Sequence, residues 1–209
     1  MPAAKFTVPK AEKYTRVFQF KIVLDETDVW RVIQVPDSYT FFDLHVAIQD
    51  AMGWIDRHLF LFKYVQDGKK IELHMPGQEP EHSPDYVPEA VIEYATKTAL
   101  LDYFPRKRSV KYLYDFGDDW LHTIRLEKTL PREKDKKYPI CLSGNMACPP
   151  EDCGGLPGYA ECIAVASGRK KNNELQEWLL GWKPRYFDLS LIRFDSPSRR
   201  FEERHRYRG

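Results

Sequence analysis

The sequence predicts an α+β fold in which a mixed, β-grasp-like sheet holds a central amphipathic helix. Residues 17–24 and 120–127 alternate apolar and polar side chains, which is the period of a half-buried strand. Residues 41–52 instead place apolar side chains at helical spacing. Hydrophobic residues make up 43% of the 209 residues, enough for the core of one domain.

The N-terminal half predicts the order strand, strand, helix, strand, strand. Residues 17–24 and 29–35 flank a polar turn and predict a hairpin. Thr40 and Asp43 have the spacing of a capping box, so we expect a helix over 40–52 that ends at Gly53. The β-rich stretches 58–65 and 70–75 follow, joined by an Asp-Gly turn.

The C-terminal half predicts a second β-hairpin over 112–127 and two amphipathic helices that cover the sheet. The first helix begins near Pro157, and the second spans the apolar positions 175–182. We expect a flexible lead-in over 1–16 and a single domain over 17–195. Residues 196–209 hold five arginines against two glutamates, a composition that predicts a basic, disordered tail.

The chain is organised around residues 141–159, which hold three of the four cysteines together with a Pro-Pro and a Gly-Gly pair. Prolines and glycines in this density predict one fixed course of the backbone. Zinc is the candidate cofactor, because Cys₃His is a standard structural ligand set. Buried thiols without metal are the favoured interpretation, and a disulfide or redox pair between the first two cysteines is a further alternative. The candidate zinc ligands are Cys141, Cys148, Cys153 and His122.

A second set of polar residues could bind a ligand or, with His122, serve a metal-dependent hydrolase. The set shows no spacing such as His-Glu-x-x-His, so the sequence favours a non-enzymatic binding or interaction module. Turn chemistry and interaction with a helix N-terminus are the alternative roles of the acidic members. The candidate ligand-binding residues are His58, Asp115, Asp118, Glu151 and Asp152.

Net charge and hydropathy limit the classes of partner that the sequence predicts. The 32 basic and 31 acidic residues give a net charge of +1, so we expect no strong binding of duplex DNA by the folded core. No apolar run approaches the roughly 20 residues of a membrane helix. The first residues lack the apolar region of a secretory signal, and four cysteines then favour a cytoplasmic location. The partner, a protein or a nucleic acid, stays open.

Several strings in fixed order carry a family resemblance over about residues 17–190. They include Ala-Met-Gly-Trp at 51–54, Tyr-Asp-Phe-Gly-Asp-Asp-Trp-Leu-His at 114–122 and the stretch 141–159. The chain resembles the plasmid ORF-3-like family, whose members are often labelled insertion-element passengers or TnpR-like proteins. The resemblance implies an association with mobile elements and no established reaction.

Overall fold

The computed structural model describes residues 14–78, 89–104 and 106–206, so the predicted lead-in lies almost entirely outside the described residues. The strands are β1 (Arg16–Leu24), β2 (Trp30–Pro36), β3 (Phe60–Gln66), β4 (Lys69–His74), β5 (Ala90–Tyr94), β6 (Ser109–Tyr114), β7 (Trp120–Pro131) and β8 (Ile140–Asn145). The helices are α1 (Phe41–Met52), α2 (Leu100–Tyr103), α3 (Gly155–Ala166), α4 (Asn173–Trp178) and α5 (Pro197–Arg206), with a 3₁₀ turn at Leu189–Leu191.

All eight strands form one mixed sheet in the order β5-β4-β3-β6-β7-β1-β2-β8, which confirms the predicted α+β class. The β4–β5 pair is parallel and the other neighbours are antiparallel. The β6–β7 hairpin lies in the middle of the sheet, between β3 and β1. Phe60 at the start of β3 therefore stands opposite Tyr114 at the end of β6, and the segments beyond these two residues are neighbours.

Helix α1 packs on the sheet as predicted. The Thr40 side chain accepts a hydrogen bond from the Asp43 N–H, and the Asp43 carboxylate accepts one from the Thr40 N–H. Gly53 ends the helix at φ 92°, a value that side chains disfavour. Leu44 and Ile48 are fully buried in the main core.

At the C-terminal side the structure contains one strand that was not predicted and differs from two predictions. Residues 140–145 form β8, an unpredicted edge strand that exists because β2 pairs with it. Helix α4 ends at Trp178, before the predicted end at 182. The sequence predicts a disordered tail, but residues 197–206 form α5. The helix forms because acidic residues distant in sequence pair with its arginines. Within the described ranges, no helix is long and apolar enough to cross a membrane.

Ile48→Asp tests the packing of α1 on the sheet. We expect it to lower the free energy of unfolding by several kcal/mol, on the order of 3–5, because it buries a charge without a partner. Val65→Asp is the matched control, since Val65 is 56% exposed on β3. Chemical denaturation of both variants makes the comparison, and near-wild-type stability of Ile48→Asp would contradict the packing.

Candidate metal centre

The first part of the site is the turn that follows α1. Trp54 is buried, and its indole N–H donates to the Pro149 carbonyl over 3.0 Å. The next residue, Ile55, donates its backbone N–H to Glu151 Oε1 over 2.9 Å. These two hydrogen bonds join the turn 54–58 to the Pro-Pro-Glu-Asp segment 149–152, and so bring His58 towards two acidic side chains.

The second part is the turn between β6 and β7. Asp115 adopts a left-handed conformation at φ 56° directly after β6, and its backbone N–H donates to the Leu59 carbonyl. Its Oδ1 accepts the Gly117 N–H over 2.9 Å. That bond fixes the carboxylate and leaves Oδ2, which lies 3.6 Å from His58 Nε2.

Tyr114 joins the first two parts to the third. Its hydroxyl lies 3.1 Å from Glu151 Oε1 and donates to this carboxylate. The same oxygen accepts the Arg57 backbone N–H over 3.2 Å. Burial first, and the nearby Glu151 charge second, raise the pKa of Tyr114, so the phenol stays protonated and can donate. One tyrosine therefore sets the distance between the His58 turn and the acidic segment.

His58 is the centre of the arrangement. Its Nε2 lies 3.1 Å from Asp152 Oδ1, 3.6 Å from Asp115 Oδ2 and 3.7 Å from Glu151 Oε2. The nitrogen is shielded from solvent, yet it makes no hydrogen bond. The ligand atoms of His58, Asp115 and Asp152 all lie within 4.8 Å of one another, which makes them a candidate metal-binding group.

The spacing of these atoms fits a metal ion. Zinc–nitrogen and zinc–oxygen bonds of about 2.1 Å place the ligands of a tetrahedron roughly 3.4 Å apart. The three distances from His58 Nε2 bracket that value. Three carboxylates around one imidazole give a negative site, which favours a cation. Burial raises the pKa of Glu151, while the N–H of Ile55 and the hydroxyl of Tyr114 oppose the rise.

The centre is open on one side. The Asp152 side chain is 64% exposed, whereas those of Asp115 and Glu151 are 9% and 16% exposed. Glu151 also lines a cavity of about 330 Å³ whose aromatic walls include Trp54 and Trp182. A bound ion would therefore keep solvent access on the side of Asp152, and Glu151 connects the centre to the cavity.

Comparison with known proteins places the chain in a family. A family model described as plasmid pRiA4b ORF-3-like protein matches residues 16–191. The chain belongs to this family. The match spans every residue of the candidate centre and ends before α5.

Two relatives of this pRiA4b ORF-3-like chain illustrate the family. It is similar to the uncharacterized protein y4hQ of Sinorhizobium fredii, with 34% identity over 167 residues that cover 78% of this chain and 80% of that protein. It is also similar to the crystal structure of MM3350, a protein of unknown function from Methanosarcina mazei Go1. That match has a TM-score of 0.77 and 35% identity, and it covers 87% of this chain and all of the other.

The predicted zinc ligands are not assembled in this family member. Among the described residues, no cysteine belongs to a group of three metal-ligand atoms within 4.8 Å. Cys141 donates to the Ser143 carbonyl on β8, and Cys153 packs beside the buried Cys162 on α3. Burial raises the pKa of Cys153 to about 12 and also raises that of Cys148. In the absence of a metal these thiols are therefore protonated at neutral pH.

His122 is a core residue of β7. Its ring is fully buried, edge-on to Trp54 at 5.4 Å, and its Nδ1 lies 2.9 Å from the Trp120 carbonyl. Burial lowers the pKa of His122 to about 4, so the ring is neutral at pH 7. The hydrolase set proposed from the sequence therefore loses His122 and keeps His58.

Asp118 is the one acidic candidate with a purely structural contact. Its carboxylate accepts the Gly154 N–H over 3.1 Å, just before α3. Four of the five predicted ligand-binding residues thus converge, and Asp118 positions the acidic segment from its other end. Tyr114 was not among the predicted site residues. The alternation of side chains in β6 favoured a packed strand, and nothing in the sequence pairs Tyr114 with Glu151.

The buried His122 makes the stability of the protein depend on pH. Because its pKa is lowered on folding, the unfolded chain takes up a proton first as the pH falls below about 6.5. Stability is therefore complete above that pH and decreases towards pH 4, by up to about 3 kcal/mol from this group. His122→Asn can keep a donor to the Trp120 carbonyl but does not titrate.

The measurement is the free energy of unfolding at pH 7 and pH 4 for both proteins. We expect the loss between the two pH values to be smaller in His122→Asn than in the wild type. An equal loss in both proteins would show that His122 does not carry this pH dependence.

Proposed function

We propose that this pRiA4b ORF-3-like protein is a divalent-metal-binding module with His58, Asp115 and Asp152 as ligands and Glu151 as the third carboxylate of the site. The observation that carries the proposal is the buried His58 Nε2, which has no hydrogen bond and faces three carboxylates at 3.1–3.7 Å. A shielded ring nitrogen that makes no hydrogen bond is costly, and coordination of a metal ion would satisfy it.

The ligand types select the class of ion. Imidazole suits zinc and other first-row transition ions, whereas magnesium and calcium prefer ligand sets made of oxygen alone. One imidazole with carboxylates therefore supports Zn²⁺ or Mn²⁺. Zinc was also the candidate cofactor of the sequence analysis, but the proposed ligands are imidazole and carboxylates in place of thiols.

His58→Ala tests the metal site. We expect wild-type protein, purified without a histidine tag and dialysed against Zn²⁺, to hold one ion per chain, and His58→Ala to hold none. The measurement is metal content by mass spectrometry together with the melting temperature before and after chelation. Chelation should lower the melting temperature of the wild type only.

Cys148→Ser is the matched control, because Cys148 belongs to the same loop as Glu151 and Asp152 but not to the proposed ligand set. We expect it to retain the ion. Loss of metal in Cys148→Ser together with retention in His58→Ala would transfer the site to the thiols and refute the proposal.

A metal-dependent hydrolase is the second candidate, favoured by the exposed side of the centre at Asp152 and by the adjoining cavity. An open coordination position can hold a water molecule, whose pKa the ion lowers. The probe is bis-p-nitrophenyl phosphate with Mn²⁺, in which water attacks phosphorus and p-nitrophenolate leaves. Turnover by the wild type that is lost in His58→Ala would support the hydrolase. Metal binding without turnover would instead support a non-enzymatic metal-binding module.

The wider biological setting is proposed on separate grounds. The family name refers to a plasmid, and we propose that the module serves mobile elements or their hosts. The four cysteines are all free thiols, which fits a reducing, cytoplasmic setting.

Duplex DNA binding gives a negative prediction. The net charge is only +1 and the candidate centre is acidic, so neither feature attracts a polyanion. We expect the protein to bind a random duplex with a Kd weaker than about 1 µM at roughly 150 mM salt, measured by fluorescence anisotropy. Tighter binding at that salt concentration would contradict this prediction and would support an accessory role in DNA processing.

A further inference from the structure

Helix α5 is attached to α1 and to the turn 54–58 mainly through charge. Phe201 is its buried apolar residue and meets the Phe42 ring edge-on at 5.6 Å. Arg200 lies 2.8 Å from Asp50 Oδ1, and the Asp50 carboxylate also accepts the Asp195 N–H. These side chains are mostly shielded, so their attraction is stronger than that of a surface pair.

Arg204 reaches from α5 into the turn that presents His58. Its Nη1 pairs with the Asp56 carboxylate, and its Nη2 donates to the His58 carbonyl over 3.1 Å. The guanidinium is only 11% exposed. One planar group therefore holds both the first residue of the Asp-Arg-His segment and the backbone of the histidine itself.

The buried carboxylate of Asp56 requires the positive charge of Arg204 to keep its position. Its side chain is 1% exposed, it adopts a left-handed conformation at φ 58°, and its Oδ1 lies 2.9 Å from the buried His45 Nε2. Burial lowers the pKa of His45 to about 4, so the imidazole is neutral at pH 7 and provides no countercharge. Arg204, with Arg200 at 3.6 Å, supplies the positive charge that a buried carboxylate requires.

We propose that Arg204 is a positioning residue for the metal centre, and that α5 thereby controls the affinity of His58 for its ion. The inference rests on the proposed metal-binding function. The positioning acts through the backbone: Arg204 fixes Asp56 and the His58 carbonyl, and the Arg57 N–H between them binds Tyr114, which also holds Glu151. Helix α5 lies beyond the residues that match the family model.

Co²⁺ is the probe, because its visible absorption reports both affinity and coordination geometry at such a site. The variants are Arg204→Gln and Arg204→Lys, with Arg199→Gln as the matched control. Arg199 lies on the same helix, is 66% exposed, and pairs with Asp195 and Glu203 away from the centre. Partners that orient metal ligands typically change affinity by about 10–100-fold when they are removed.

We expect Arg204→Gln to weaken Co²⁺ binding at least about tenfold and to change the visible spectrum, while Arg199→Gln changes neither. Lysine can keep the ion pair with Asp56 but lacks the fork that reaches two acceptors. Arg204→Lys should therefore retain the melting temperature more fully than the affinity. This difference separates positioning from a general contribution to stability.

Unchanged affinity and spectrum in Arg204→Gln would overturn the positioning role while leaving the metal site intact. Absence of Co²⁺ binding by the wild type would overturn the proposed function itself, and the positioning role with it. Equal losses in Arg204→Gln and Arg199→Gln would show a nonspecific effect of charge and would also overturn the inference.

Discussion

The candidate centre depends on the hydrogen bonds that the buried guanidinium of Arg31 donates. Arg31 is 3% exposed and donates to the carbonyls of Ala51 at the end of α1, and of Asn145 and Met146 at the end of β8. Burial lowers its pKa, yet an arginine remains charged at neutral pH. These acceptors lie a few residues before the turn 54–58 and the segment 149–152, so one side chain joins the chain just ahead of both ligand-bearing segments.

Individual hydrogen bonds extend from that junction to the ligands of the candidate centre. The Trp54 indole fixes the Pro149 carbonyl, the Ile55 amide fixes Glu151, and Tyr114 joins Glu151 to the His58 turn. The register of β3 against β6 then places Asp115 beside His58. No single segment of the chain holds the site, because the ligands come from three turns that only the complete sheet brings together.

The sequence predicted the regular elements with strong periodicity and missed those that depend on distant partners. The capped helix α1 and the β6–β7 hairpin follow from local patterns of apolar residues. Strand β8 has weak strand propensity and forms by pairing with β2. Helix α5 is so rich in charge that it predicts disorder, and it is held by acids about 150 residues away at Asp50 and Asp56.

The residue types of the candidate centre were predictable from the sequence, but their arrangement in space was not. His58, Asp115, Glu151 and Asp152 were recognisable as polar residues at turns, where ligands commonly gather. Their convergence around one nitrogen depends on the order of strands in the sheet, which no spacing rule encodes. The cysteines gave a stronger chemical signal, but the fold distributes them among β8, the loop before α3 and α3 itself.

The most direct test of the central claim is a crystal soaked with Mn²⁺ and measured for anomalous scattering. The account predicts one strong peak within about 2.3 Å of His58 Nε2, with oxygens of Asp115 and Asp152 also in the coordination sphere. A peak at the cysteines, or no peak near His58 in crystals that hold the ion elsewhere, would contradict it.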